Sequence, residues 1–250
     1  AAITALRRLQ QQPARLTPAD RKTIAEVLEW NNLPAEALPV WVSLYRDTGS
    51  PLAFRRATDL ARGLFQWETL LGVLEQAASR GRLQPEDYIG LAEAQIRTGR
   101  LDAAIATLSE GRLLYPDAAR LTERLLTLHL NLRDFPAAIT LLEGQPTLSE
   151  SDRVQLASLL WRTRQPERAL ALLDAGIDDP ELAENAQIIR LDLATYLGRT
   201  DILRKEYDRL SARGDDELTP VLEERLLGLA VLFKDYPQAL RLSQRRFEAT

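Results

Sequence analysis

Sulfur is missing from this sequence, which contains neither cysteine nor methionine. The lack of cysteine excludes disulfides, thiolate metal sites and cysteine nucleophiles, and it leaves the redox state of the compartment open. Histidine occurs once, at His129, so the chain cannot build a cluster of histidines around a metal. We predict that His129 packs between helices, at the repeat position that Leu28 and Leu160 also occupy.

Long apolar runs are also absent. None approaches the roughly 18 to 20 residues that a membrane span needs, and no charged segment followed by an apolar signal region opens the chain. We therefore expect a segment that does not itself span a membrane. The sequence starts in mid-pattern at Ala1–Leu6 without an initiator methionine, and we infer that it was excised from a longer protein.

Neither sign of charge dominates. The 32 basic and 36 acidic residues are mixed along the length and give a net charge of -4. Without a basic stripe to neutralise phosphates, nucleic acid is not an expected partner. Hydrophobic residues make up 45% of the 250, enough for a substantial buried core.

What the sequence does contain is a repeat. A small or aliphatic residue starts the same local phrase seven times, at intervals of 33, 34, 34, 31, 34 and 36 residues. These anchors are Ala37, Leu70, Ala104, Ala138, Ala169, Leu203 and Ala239. Such a period predicts an array of similar units.

Each anchor belongs to a pair of helices. The residues four after the anchors are apolar except the last, Ser243, and mark the buried stripe of a second helix. The residues thirteen and nine before the anchors, four apart, mark a first helix. A turn is predicted five before the anchor, at Gly99, Arg133, Gly198 and Lys234, where glycine can take the left-handed conformation that ends a helix. Period-two alternation is absent, which favours an all-α fold.

The phrase Gly99–Ile105, with Tyr88 and Leu91 upstream and Pro116 downstream, resembles the consensus of the tetratricopeptide repeat (TPR) family. The resemblance covers Pro18–Thr250 and implies a right-handed superhelical solenoid of about seven repeats, whose concave groove is lined by the first helices. The expected divisions are 1–17, a leftover helix of a preceding repeat, and repeats at 18–50, 51–84, 85–118, 119–149, 150–183, 184–219 and 220–250.

Two places depart from the family pattern. The repeat at 184–219 has Arg190, Leu203 and Arg204 where the family usually has aliphatic or small residues. The family pattern therefore does not predict how the helices of this repeat pack. Pro39 lies six residues into a predicted helix, where it removes a backbone bond and should kink the helix.

Catalytic motifs are lacking: there is no phosphate-binding loop, dinucleotide glycine motif, paired-histidine zinc helix or nucleophile elbow. Two acidic clusters, Asp178–Asp179 and Asp215–Glu217, fall at repeat boundaries, where such charges usually cap the next helix or stay solvated. We predict no catalytic residue, no metal and no cofactor, and hence a protein that is not an enzyme.

If the family resemblance holds, the residues fifteen, eleven, eight and seven before each anchor face the groove. They include Lys22, Glu26, Glu29, Trp30, Arg55, Asp59, Arg62, Ile89, Glu93, Arg97, Glu123, Thr127, Asn131, Trp161, Arg162, Asp192, Tyr196 and Glu224. Each aromatic among them either lines the groove or is wedged between helices, which is the commoner place for a tryptophan in such arrays. Arg55, Arg56 and Arg62 form the densest basic cluster, most simply a solvated face.

Well-known members of the family hold a peptide's terminal carboxylate with lysines and asparagines in this groove. Here the positions eleven before the anchors are mostly acidic, which disfavours a receptor for chaperone tails. We predict a scaffold that binds another protein. Phrases such as Gly99–Ala104 and Trp41–Tyr45 resemble the periplasmic TPR region of exopolysaccharide export proteins of the PelB type, which implies a periplasmic location and recruitment of a PelA-like hydrolase and deacetylase.

Other functions are consistent with the same residues. Acidic and aromatic side chains in a groove suit a cationic amino-sugar polymer, so a carbohydrate-binding groove is an alternative. A cytoplasmic TPR adaptor is another. A structural array that stacks end to end through apolar faces is the last.

Overall fold

The computed structural model describes residues 16–81, 83–214 and 218–248. Those residues form fourteen α-helices and no strand. The helices are α1 (Pro18–Trp30), α2 (Pro34–Thr48), α3 (Pro51–Gly63), α4 (Trp67–Ser79), α5 (Pro85–Arg97), α6 (Leu101–Leu114), α7 (Ala119–Asn131), α8 (Phe135–Glu143), α9 (Glu150–Arg162), α10 (Pro166–Leu173), α11 (Pro180–Tyr196), α12 (Thr200–Ser211), α13 (Pro220–Leu232) and α14 (Tyr236–Glu248). The predicted leftover helix lies outside the described residues, apart from Leu16 and Thr17.

Every first helix ends in the same way. The residue five before each anchor has a left-handed backbone, with φ between 56° and 77°; these residues are Asn32, Phe65, Gly99, Arg133, Arg164, Gly198 and Lys234. The next N–H then bonds back to the carbonyl nine before the anchor, as Asp134 N does to His129 O at 2.9 Å. This is the Schellman ending, which satisfies carbonyls at the end of the helix and turns the chain into the second helix. The four turns predicted from sequence are confirmed.

The residues that recur at the same position of each repeat form the core. All seven anchors are buried, as are all seven residues nine before them, including Gln95 and His129. Ser243, the one polar member of the second-helix stripe, is exposed. Because each helix buries a single stripe, it must pack on its neighbours to keep that stripe from water.

The chain divides into two compact units between Leu128 and His129. In the first unit, consecutive helices from α1 to α6 pack on one another. In the second, consecutive helices from α8 to α14 do the same, and the first helices α9, α11 and α13 are also neighbours of one another. Each unit is thus a stack of helical hairpins.

The two departures from the family pattern are accommodated. Helix α2 runs without interruption through Pro39, whose side chain is exposed. In the divergent repeat, Leu203 is buried, and Arg190 donates a 2.9 Å hydrogen bond to Glu206, which is itself only 1% exposed. An ion pair therefore replaces the aliphatic contact that the family pattern leads one to expect at this position.

Within the described ranges, no helix is both long enough and apolar enough to cross a lipid bilayer.

Candidate functional site

The residues that the sequence assigns to the groove lie on the first helices; in each unit we call the surface that these helices present the first-helix face. In the first unit this face is carried by α1, α3 and α5, and in the second by α9, α11 and α13. Side chains join neighbouring first helices across it. Arg56 approaches Glu29 at 3.6 Å, and Arg225 approaches Asp192 at 3.0 Å.

Glu29 is the most enclosed of the predicted groove carboxylates in the first unit. Its Oε1 accepts a 2.5 Å hydrogen bond from the indole N–H of Trp41, a side chain that is fully buried. Only 16% of the Glu29 side chain is exposed. The Glu29 carboxylate thus accepts a hydrogen bond from Trp41 of α2 and pairs with Arg56 of α3. It links α1 to both helices instead of pointing into solvent.

Arg62 lies across the next helix and approaches Glu93 at 3.9 Å. The sequence makes room for it at Gly90, because a β-carbon there would stand 2.8 Å from the guanidinium. Lys22 and Glu26, one helical turn apart on α1, approach each other at 3.7 Å. Salt bridges this exposed contribute little to stability, so they organise the surface more than they stabilise the fold.

Of the remaining predicted residues of the first unit, Ile89 is half-buried and the others are open to solvent. Trp30 is 83% exposed at the end of α1, although tryptophan is normally well buried. Arg55 and Asp59 are exposed on α3. Arg97 is exposed and lies over the ring of Trp67, with its guanidinium carbon 5.2 Å from the ring centroid. Of those on α7, Glu123, Thr127 and Asn131 are exposed.

In the second unit, the predicted aromatics meet. Trp161 of α9 and Tyr196 of α11 pack edge to face with centroids 5.0 Å apart. Trp161 is half-buried, whereas Tyr196 is 70% exposed. The two alternatives for a groove aromatic are thus both present: Trp161 is partly wedged between helices, and Tyr196 offers its ring to solvent.

Arg162, the residue after Trp161, lines a pocket of about 320 Å³, which we call the Arg133–Arg162 pocket. It is lined by Leu130, Arg133, Phe135, Gln155, Ser158, Leu159 and Arg162. Arg162 lies over the Phe135 ring, with its guanidinium carbon 5.1 Å from the centroid. The pocket therefore combines two cationic side chains with an apolar floor.

Sequence reasoning missed most of this pocket. It placed Arg162 on the groove but treated Arg133 only as a turn residue and overlooked Phe135, Gln155 and Leu159. One weak signal was available: Ser158 is one of three neutral residues, with Thr127 and Gly228, at the positions eleven before the anchors, where the other four are acidic.

The acidic pair at Asp178–Asp179 has a capping role, as predicted. The Asp179 carboxylate accepts a 2.9 Å hydrogen bond from the Glu181 N–H at the start of α11. The backbone N–H groups of Asp179 and Asp178 donate to Glu150 at 2.8 and 3.0 Å and lower the pKa of its carboxyl. The other acidic cluster, Asp215–Glu217, lies outside the described residues.

His129 is buried, and its Nδ1 is 3.2 Å from the Asp134 carboxylate, which also caps α8 by accepting from the Ala137 N–H. This agrees with the predicted position between helices. Within the part of the chain that the structure describes, no group of three or more His, Cys, Asp and Glu residues could hold a metal ion.

Comparisons of the fold are informative where comparisons of the sequence are not. No protein-family profile matches the chain, and no curated protein matches it. Among solved structures, the Naa15/Naa10 complex bound to HypK-THB is 14% identical with a TM-score of 0.61, over 91% of this chain but 36% of that one. The C-terminal part of a TPR repeat-containing protein from Cytophaga hutchinsonii is 15% identical with a TM-score of 0.51, over 88% of this chain and 84% of that one. The fold is that of a tetratricopeptide repeat solenoid.

YrrB, a TPR protein described as having an unusual peptide-binding site, is also similar, at 15% identity with a TM-score of 0.46 over 78% of this chain and 98% of that one. At such identities the likeness concerns the fold alone. What the chain binds has to be argued from its own surface.

Proposed function

We propose that this TPR chain is a non-catalytic scaffold that binds another protein on its first-helix face. The observation that carries the proposal is the exposure of large aromatic side chains there: Trp30 is 83% exposed and Tyr196 is 70% exposed. Tryptophan and tyrosine dominate the energetically important residues of protein interfaces, because each buries a large rigid surface on binding.

The charges of the face support a protein partner over a cationic amino-sugar polymer. A polycation would need free carboxylates, yet Glu29, Glu93 and Asp192 each already face an arginine of the neighbouring first helix. Such pairs reduce the attraction for a cationic ligand. A face that alternates both signs of charge with aromatic rings suits the mixed surface of a protein.

The test is affinity capture with three baits: the parent chain, a Trp30→Ala/Tyr196→Ala variant, and a Leu113→Ala control. Leu113 is 82% exposed, but it lies on the second helix α6, away from the first-helix face. We expect a stoichiometric partner that the parent and the control retain and that the double variant loses by at least about tenfold, the scale of one such residue at an interface. Recovery of no stoichiometric partner, or equal loss in both variants, would contradict the proposal.

The identity of the partner is a finer proposal. The resemblance of Gly99–Ala104 and Trp41–Tyr45 to periplasmic export proteins supports a partner that modifies a polysaccharide, a hydrolase or deacetylase, and a periplasmic location. Mass spectrometry of the captured protein tests both. A partner drawn only from cytoplasmic chaperones or regulators would keep the scaffold and remove the export role.

A further inference from the structure

The two arginines of the Arg133–Arg162 pocket differ from most arginines around them. Elsewhere in the second unit, Arg153, Arg168 and Arg190 each pair with a carboxylate of the chain. Arg133 and Arg162 make no ion pair with any described residue. In a chain of net charge -4, two cations that face one pocket without a carboxylate leave a local positive site.

The way Arg162 is held leaves its donors available. Its guanidinium lies over the face of Phe135, and a stacked guanidinium keeps its N–H groups in its own plane, free to bind a carboxylate with two parallel hydrogen bonds. Among the described residues, the Ser158 hydroxyl and the Gln155 amide have no hydrogen-bond partner of their own. The pocket thus gathers several donors around one space.

The polar groups extend along the helix. Gln155, Ser158 and Arg162 line one side of α9 over about 10 Å, at 1.5 Å per residue. That is longer than a single carboxylate. The apolar side chains Leu130 and Leu159 line the same pocket, and Trp161, whose ring packs against Tyr196, directly precedes Arg162 in α9.

We propose that the Arg133–Arg162 pocket binds the carboxylate of a glutamate or aspartate within an extended segment of the partner protein, and that an apolar residue beside this acid packs on Trp161 and Tyr196. This inference rests on the scaffold function proposed above. The acid is an internal side chain because the polar groups of α9 extend over about 10 Å, longer than a single carboxylate, so that a chain passes through the site rather than ending in it.

Three matched peptides separate the possible sources of the carboxylate. The first, acetyl-Ala-Leu-Glu-Leu-Ala-amide, has only a side-chain carboxylate. In the second, glutamine replaces glutamate and no carboxylate remains. The third has the same glutamine and a free C-terminus. Each is titrated to millimolar concentration into the whole chain, and the indole N–H signals of the four tryptophans are followed by NMR.

We expect the glutamate peptide to shift the Trp161 signal and leave that of buried Trp41 in place. It should bind about tenfold more tightly than the glutamine peptide, since a bidentate charged pair is lost with the acid. Arg162→Gln should remove most of this difference. Arg164→Gln is the matched control, because it deletes the same charge from an exposed arginine two residues away that does not line the pocket.

Other outcomes overturn the proposal. Equal binding of all three peptides, or of none, would show no carboxylate site, and preference for the free C-terminus would show a terminal rather than an internal acid. Circular dichroism of each variant separates these results from misfolding. If a partner is captured and Arg162→Gln leaves its affinity unchanged, the pocket proposal fails while the scaffold proposal stands. If the glutamate peptide binds more tightly than the other two but no partner protein is found, the scaffold proposal fails while the pocket proposal stands.

Discussion

At the scale of single residues, close approach between helices decides which positions tolerate change. Gly111 of α6 lies against the Tyr88 ring of α5, and a β-carbon there would stand 2.8 to 3.1 Å from three carbons of Tyr88. Tyr88 is buried and packs against Tyr115, with ring centroids 6.1 Å apart. The tyrosine therefore has little room to move aside.

We predict that Gly111→Ala lowers the free energy of unfolding by about 1–3 kcal/mol, the usual cost of overpacking a core. Gly72 is the matched control, because it lies within α4, is exposed, and its added β-carbon would meet nothing within 4 Å. Gly72→Ala should raise stability by about 0.5–1 kcal/mol through helix propensity alone. Urea unfolding measures the free energy of unfolding of both variants. Equal changes in this free energy would show that the Tyr88 ring moves aside, and would contradict the prediction.

A second residue-scale contact ties a titrating group to a turn. The Tyr207 hydroxyl donates a 2.6 Å hydrogen bond to the Asp235 carboxylate, and Asp235 also accepts from the Gln238 N–H. The bond from Tyr207 is the main reason that the pKa of Asp235 is lowered. Arg204, which lies 3.8 Å over the Phe233 ring, lowers that pKa further.

Tyr207→Phe should therefore raise the pKa of Asp235 toward its usual value, as read from its carboxyl carbon by NMR. A lowered pKa in the folded state means that Asp235 stabilises the fold at pH above its unfolded value of about 3.9, and that this contribution is lost as pH falls through the folded pKa. The stability gap between parent and variant should shrink on acidification through this range. An Asp235 pKa that does not move would contradict the assignment.

At the scale of elements, a polar contact between α11 and α12 replaces part of the apolar packing that the other repeats have between their two helices. Glu206 has a side chain that is 2% exposed, and it accepts from Gln187 at 2.7 Å, Arg190 at 2.9 Å and Arg209 at 3.2 Å. Arg190 also reaches Asp174, just after α10, at 3.3 Å. These contacts join α11 to α12 within the divergent repeat and to Asp174 at the end of α10 in the preceding repeat.

We predict that Arg190→Met alone costs about 3 kcal/mol, because it leaves a buried carboxylate with less compensation. Replacing both partners, Arg190→Met with Glu206→Leu, should cost less than the single change, since no buried charge remains. Thermal and urea unfolding of the two variants and of Glu206→Leu provide the comparison. If the double variant is destabilised by the sum of the singles, the pair does not act as a unit.

At the scale of the whole chain, the regular features were predictable and the pairwise ones were not. The buried anchors and the buried residues nine before them, Gln95 and His129 included, follow from a period that repeats seven times. Ser243 is exposed although the same period places it in the buried stripe. Turns that contain glycine were predictable as well. The left-handed turns at Asn32, Phe65 and Arg164 were not predicted, because these positions have neither the glycine of Gly99 and Gly198 nor the aspartate that follows Arg133 and Lys234.

Contacts between repeats escape sequence reasoning for a physical reason. The burial of Glu206 depends on Arg190 sixteen positions away, a pair that no other repeat has at these positions. The contact of Arg162 with Phe135 has a counterpart in that of Arg97 with Trp67, but the other residues at the pocket positions differ between the two repeats. The period describes what the seven repeats share, so it does not reveal a contact that only one repeat makes. That individual character is what a scaffold uses to select its partner.

The uniform turns have one more consequence. Three of the seven left-handed residues, Arg133, Arg164 and Lys234, are exposed basic residues and are therefore trypsin sites inside hairpins. A protease cleaves a segment in an extended conformation, and the backbone of a Schellman turn is not extended. Cleavage therefore requires that the hairpin first opens. When closing outpaces cleavage, the rate of cutting at each of the three bonds measures how often that one hairpin opens. Limited digestion would thus convert the fold's own turns into reporters of local stability, without any label or mutation.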